Sequence, residues 1–322
     1  MYYPPAQPNQ HGRHTQSPPA STWTLAITAT LAFLVGILVT TTVNWAVGGG
    51  TPSSSPAGSN TSTVVTATTT VLPNSTEQAE TMSASTEAAA PAGAVGGITQ
   101  VDLDAAVQAG VTVGGGTAGI ALDDGTGTGV LQSGTVDGMV SWSSIKVPLA
   151  IAALRANPNL HDTAFAAITY SDNGAAQALW DSLGAGEDAA QAVSTVVAET
   201  GQSLTVNPFV TRPGFTAFGQ TLWSLPEMAY FAARLDTVNG AEQVIEMMGQ
   251  VVPDQSYGLG RLPSAQFKGG WGPTEAGGYT TRQLGRVRMG ETVIGIAVYA
   301  APADGSYATS QAMLDAMVAA LP

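Results

Sequence analysis

The sequence contains no cysteine. This excludes disulfides, thiolate metal sites, a cysteine nucleophile and lipidation at cysteine. Histidine is nearly as scarce: His11 and His14 lie near the N-terminus and His161 stands alone. A Ser-His-Asp triad or a histidine-rich metal centre needs imidazoles that converge, so neither is expected, and no metal or other cofactor is implied. Positive charge is also in deficit: ten Lys plus Arg face 23 Asp plus Glu, a net charge of −13. That argues against a nucleic-acid partner, because neutralising phosphates needs a basic footprint. Lysine is the rarer cation, present only at Lys146 and Lys268. Arginine fills the other cationic positions, so the two lysines need an explanation.

What is present divides the chain. Residues 1–22 are rich in Pro, Gln and His without apolar periodicity, and read as a disordered cytoplasmic tail. Residues 23–47, WTLAITATLAFLVGILVTTTVNWAV, carry no charge and exceed the ~20 residues that cross a bilayer. Trp23 and Trp45 stand at the two ends, where interfacial aromatics belong. A cleaved signal peptide fits less well, since its apolar region would be ~7–15 residues and no small-x-small site follows. Arg13 precedes the span and no Lys or Arg follows before Lys146. This favours a single-pass cell-membrane protein, anchored through residues 23–47, with its C-terminal domain outside the cytoplasm. Residues 48–97, dominated by Thr, Ser, Ala, Gly and Pro, cannot bury enough apolar surface to offset ordering entropy and read as a linker. The folded domain is expected over 98–322, long enough for one substantial core. No heptad or repeat points to an assembly, so a monomer is expected.

Inside that domain, VDLDAAVQAG (101–110) has the pattern of a first helix. TAGIALDD (117–124) and TGVLQSG (128–134) read as two strands around Gly125, a hairpin. Helical patterns follow at 143–156, at 161–184 as two helices meeting near Ser171, and at 186–200, 222–235 and 241–252. Strands are expected at 266–271, 279–289 and 292–301, and a closing helix at 310–321. Two strands, several helices, then three strands and a helix describe an α+β domain: an antiparallel sheet flanked by helices, with a separate helical part.

Three short motifs carry chemistry. The first is Ser-Ser-Ile-Lys, 143–146: on a helix, positions i and i+3 share a face, so the Ser143 hydroxyl and the Lys146 amine can approach. A neutral amine there removes the hydroxyl proton, and burial or a second cation makes the amine neutral. Taken alone, it reads equally as a lysine snorkelling from an amphipathic helix. The second is Ser-Asp-Asn, 171–173, which alone reads best as a helix N-cap. The third is Lys-Gly-Gly, 268–270, which alone reads as a glycine-rich strand end. Taken together and in this order, they contain both lysines of the chain. The arginines at 282, 286 and 288 alternate along a strand and read as a solvated or ion-paired face. Trp142 and Trp180 read as packing in the helical half.

Ser-x-x-Lys, then Ser-Asp-Asn, then Lys-x-Gly on a strand resembles the serine β-lactamase and penicillin-binding-protein superfamily, most closely the class A β-lactamases. The resemblance covers nearly all of 98–322. It implies Ser143 as acylated nucleophile and Lys146 as its base. Ser171 would pass the proton to the departing nitrogen, and Asn173 would bind the substrate's side-chain amide and brace Lys146. Lys268, Gly270 and Trp271 would form the substrate-binding strand. Lys268 would attract the substrate carboxylate, and the N–H groups of Ser143 and Trp271 would form the oxyanion hole. Three features depart from the family pattern. Its deacylating glutamate would fall near Asn207, and no acid lies between Glu199 and Glu227. Gly269 stands where the family has Thr or Ser, with Arg282 on the next strand a candidate to compensate. Ser143 and Ser171 are only 28 positions apart, so a helical wall of the cleft is expected to be missing.

The resemblance implies an extracytoplasmic serine hydrolase that forms an acyl-serine with β-lactams or D-Ala-D-Ala-type cell-wall peptides and deacylates slowly. The departures also fit a non-catalytic cell-envelope binding or regulatory module that keeps the fold.

Overall fold

The computed structural model describes residues 93–127 and 129–322. The expected tail, the membrane span and nearly all of the linker lie outside the described residues. Among the described residues no helix is long and apolar enough to cross a membrane. At the start of the expected domain, Val95 and Ile98 form a bridge and are both buried.

Helix α1, Gln100–Gly114, begins at a capping box in which Thr99 and Asp102 satisfy each other's backbone N–H. Strands β1 (Thr117–Asp123) and β2 (Leu131–Gly134) pair antiparallel, as the hairpin pattern requires. The helical stretch expected from 143 is two pieces. A 3-10 turn over Trp142–Ile145 feeds α2, Lys146–Ala156. Helices α3 (His161–Thr169) and α4 (Asn173–Ser182) meet around Ser171. α5 (Gly186–Ala198), α6 (Leu225–Ala233) and α7 (Glu242–Met248) complete the helical part. The last two are shorter than the pattern predicted. Ser224 and Glu227 form a capping box that starts α6 late, and 3-10 turns take up the flanks. Strands β3 (Gln266–Pro273), β4 (Tyr279–Met289) and β5 (Thr292–Ala301) precede the closing helix α8, Tyr307–Ala319.

The five strands form one antiparallel sheet in the order β2-β1-β5-β4-β3. Period-2 alternation divides its side chains between two cores. Ile120, Leu122, Ile296 and Val298 face α1 and α8. Ala121, Leu284, Ala297 and Tyr299 face the helical part, whose core is built from α2, α5 and α6. β3 closes the sheet at one edge, so one side of its backbone is left unpaired by strands. Helix α2 is buried along nearly its whole length, which carries Lys146 at its start into the interior beside that edge.

One expectation about the sheet needs correction. The expected solvated or ion-paired face holds for Arg288, which is exposed, and for Arg286, which is ion-paired, but not for Arg282. Arg282 is 1% exposed and Arg286 4% exposed. Arg286 is ion-paired with Asp236, whereas Arg282 turns into the core. Its Nη1 donates to the carbonyls of Met139 (3.1 Å) and Val140, and Nη2 donates to the Trp223 carbonyl at 2.8 Å. Burial lowers its pKa from 12.5 to about 10, so it stays charged at neutral pH.

Candidate active site

The segment before Ser143 is fixed from three sides. Ser141 N–H donates to the Thr221 carbonyl at 2.7 Å, and Val140 bridges Leu222. Arg282 ties Met139, Val140 and Trp223 to the sheet. β3 closes the third side. A Cβ at Gly270 would stand 2.8 Å from both the Ser141 carbonyl oxygen and Ser143 N, and one at Gly272 would enter the Trp142 ring at 2.6 Å. Only glycine lets the strand approach the turn this closely. Gly270 therefore lies against the backbone of the Ser143 turn, on the edge strand that also carries Lys268 and Trp271.

The 3-10 geometry sharpens the Ser143–Lys146 relation. Residues i and i+3 eclipse in a 3-10 turn, which brings positions 143 and 146 to one side of it; Lys146 N–H donates to the Ser143 carbonyl. The Lys146 amine itself points to the second motif. It donates to the Ser171 carbonyl (2.7 Å), the Asp172 carbonyl (3.1 Å) and Asn173 Oδ1 (2.8 Å), with Ser171 Oγ at 3.5 Å. Ser143 Oγ is not among these partners. It is half-buried, whereas Lys146 is buried.

The Ser-Asp-Asn segment serves two ends. Asp172 is the N-cap of α4, accepting from Ala175 N–H at 2.6 Å. Ser171 and Asn173 turn to the lysines. Ser171 has φ 56°, a left-handed conformation unusual for serine, and Trp142 has φ 48°. These are two of four non-glycine residues with positive φ among the described residues, and both flank the candidate site. Such backbone costs on the order of 1–3 kcal/mol and persists where surrounding contacts impose it.

Lys268 closes the set from β3. Its Nζ donates to Ser171 Oγ at 2.8 Å and to the Gly269 carbonyl at 2.8 Å, and the residue is fully buried. The Ser171 hydroxyl thus lies between two buried amines. Desolvation lowers the pKa of Lys146 from 10.5 to about 7, against an opposing pull from Asp172. Desolvation, then the charge of Lys146, lowers that of Lys268 strongly. A neutral amine near neutral pH is what a base for a serine hydroxyl requires.

The structure thus gathers Lys146, Ser171, Asn173 and Lys268 into one hydrogen-bonded cluster and sets Ser143 and Gly270 against each other beside it. The side chain of Trp271 turns to the α8 side of β3, with its ring centroid 5.9 Å from Lys268 Nζ. Arg282 does not compensate for the missing hydroxyl at Gly269, because its guanidinium is committed to three carbonyls. The carboxylates that flank the Asn207 loop are also committed. Glu199 accepts from Arg155 and from Asn239 N–H, and Glu227 caps α6. Between the first two motifs lie only α2, a short 3-10 turn and α3. A cavity of about 850 Å³ lies between the 203–221 segment and the β3–β4 turn, lined by Trp142, Asn207, Arg212 and Glu275. None of Ser143, Lys146, Ser171 or Lys268 lines it. Among the described residues no cluster of His, Asp and Glu could hold a metal ion.

No family model matches the sequence, and no curated protein matches it. Solved structures do. TLA-3 extended-spectrum beta-lactamase superposes with a TM-score of 0.55 at 12% identity, over 69% of this chain and 97% of that one. A class A beta-lactamase from Mycobacterium abscessus gives 0.54 at 14% identity, over 68% and 97%. A beta lactamase from Xanthomonas campestris pv. campestris str. ATCC 33913 gives 0.54 at 18%, over 68% and 97%. The described domain therefore has the serine β-lactamase and penicillin-binding-protein fold, in the α+β arrangement of the class A β-lactamases. At these identities the likeness speaks of the fold.

Proposed function

We propose that the protein is a serine acyl-transfer hydrolase that acylates Ser143 with strained or activated amides and esters, β-lactams and D-Ala-D-Ala-type peptides among them. The observation that carries this reading is the Ser171 hydroxyl held between two buried lysine amines, 2.8 Å from Lys268 Nζ and 3.5 Å from Lys146 Nζ. In the proposed reaction the neutral Lys146 takes the Ser143 proton as Oγ bonds to the acyl carbon. The proton then reaches the departing atom through Ser171 Oγ. The N–H groups of Ser143 and Trp271 would receive the oxyanion, and Asn173 would hold Lys146 in place. Water must then cleave the ester without the loop glutamate of the class A pattern, since Asn207 stands near that place and Glu199 and Glu227 are committed elsewhere, so deacylation is slow. The uncharged span at 23–47 would tether the domain at the outer side of the membrane.

A second reading, a binding module without chemistry, is favoured by one observation: the hydrogen bonds of Lys146 run to residues 171–173 and not to Ser143. Intact-protein mass spectrometry decides between the two. The full chain is incubated for hours with millimolar penicillin beside a Ser143→Ala control. A mass gain on the wild type alone supports acyl transfer, and its rate of loss measures deacylation. A folded wild type that gains no mass from penicillins or from activated esters is a binding module.

A further inference from the structure

The side of the site beyond Lys268 is aromatic and offers no cation to a ligand. Trp271 packs on Tyr307 with ring centroids 5.6 Å apart, and Tyr279 packs on Tyr307 at 6.0 Å. All three rings are partly exposed. Tyr257 lies behind them, 3.2 Å from Tyr307 through the two hydroxyls. A Cβ built at Gly269 would touch the Trp271 ring and the Tyr257 hydroxyl, both at 3.7 Å. The indole thus leans over the bare backbone of Gly269.

A carboxylate placed here would find no free cation, only the neutral hydroxyl and indole N–H donors of the rings themselves. Lys268 is fully buried and bonded to Ser171 Oγ and the Gly269 carbonyl. Gly269 has no side chain. Arg282 is bonded to three carbonyls on the other face of the sheet, and Arg212 is bonded to the carbonyls of Pro273 (2.6 Å) and Thr274 (3.2 Å). The net charge of −13 repels an approaching anion further.

We infer that Trp271, with Tyr307 and Tyr279, forms the subsite for the leaving side of the substrate, and that this subsite selects a neutral aromatic or apolar group over a carboxylate. The inference rests on acyl transfer at Ser143. Ser171 Oγ, which would protonate the departing atom, is held by Lys268, and the Trp271 ring lies next along β3. The substituent on the departing atom therefore runs onto the indole. The step balances as an acyl exchange: the Ser143 Oγ–acyl bond forms, the acyl–oxygen bond of the ester breaks, and the Ser143 proton leaves on the released alcohol.

The test uses three esters of one acyl group, phenylacetylglycine, with the full chain. The leaving alcohols are mandelic acid, mandelamide and lactamide, so charge and ring vary separately while the Ser143 adduct keeps one mass. Adduct formation and alcohol release are followed together. The mandelamide ester is expected to react at least ten-fold faster than the mandelic acid ester. Replacing its phenyl by methyl, as in the lactamide ester, should cost on the order of ten-fold, a loss absent in Trp271→Ala. Gly269→Ser, whose Cβ meets only ordinary contacts, should narrow the gap between the acid and the amide. A mandelic acid ester that reacts as fast as the amide, or a ring preference unchanged in Trp271→Ala, overturns the inference while acyl transfer stands. No adduct and no alcohol from any ester, in a folded chain, overturns acyl transfer itself and the inference with it.

Discussion

Replacing Lys146 with methionine tests the central electrostatic argument without any substrate. Methionine has a similar length and no charge. The folded protein holds Lys146 at a pKa of about 7 against 10.5 when solvated. Between those values the unfolded chain binds a proton that the folded one does not. Stability therefore rises with pH across this window, by about 1.4 kcal/mol per pH unit for one such group. Below pH 7 both states are protonated and the full penalty, about 5 kcal/mol as an upper bound, is present. Above 10.5 it vanishes. Lys268 adds its own slope of the same sign, since its pKa is also lowered. In Lys146→Met the first slope is gone, and Lys268 loses the part of its depression that came from the Lys146 charge. The lost hydrogen bonds to Ser171, Asp172 and Asn173 add a cost that does not depend on pH. The assay is urea unfolding by tryptophan fluorescence from pH 6 to 10 at fixed ionic strength. The wild-type slope should exceed that of the variant by up to about 1.4 kcal/mol per pH unit between pH 7.5 and 9.5. Equal slopes would mean that Lys146 is charged in the folded protein, and the base assigned to Ser143 would be lost.

Four further outcomes follow from the same geometry. The rate of Ser143 acylation should rise with pH through a midpoint of about 7 as Lys146 loses its proton, measured by adduct mass against time. Ser171→Ala should slow acylation by about 10²-fold or more while unfolding shifts little, because it removes the hydroxyl between the amines and leaves the Lys146–carbonyl bond in place. Arg282→Met should lower stability by about 3 kcal/mol or more, since three carbonyls lose their donor, and Arg282→Lys should recover only part, because a point charge cannot serve all three. Gly270→Ala should cost about 1–3 kcal/mol and impair acylation, because its Cβ would press the backbone of the Ser143 turn, whereas Gly269→Ala should leave stability nearly unchanged.

Much of this protein was legible in the sequence, because much of it rests on local rules. Alternation in 117–134 and 266–301 set out the five strands, and their apolar character on both faces explains why β1 and β5 lie at the centre of the sheet. The one cap read from the sequence, Ser-Asp-Asn at 171–173, placed the start of α4. The two lone lysines, each beside Ser or Gly in a fixed order, marked the cluster that the structure gathers. Helices α6 and α7 were over-extended, because the apolar pattern continues through 3-10 turns that periodicity does not distinguish.

Tertiary structure alone decided the rest. Whether Lys146 and Lys268 are neutral depends on burial by helices and strands far along the chain, and no local pattern encodes desolvation. Arg282 reads as one of three alternating arginines on a solvated or ion-paired face, yet it is a buried tie to Met139, Val140 and Trp223, because partners roughly 60 to 140 positions away surround it. The aromatic shelf joins Trp271, Tyr279 and Tyr307 from two strands and a helix, which no spacing rule brings together. The order of residues fixes which chemical groups the domain has and where along the chain they come. Packing determined which of them are dry, which are charged and which can touch a ligand, because desolvation and side-chain contact are set by neighbours in space.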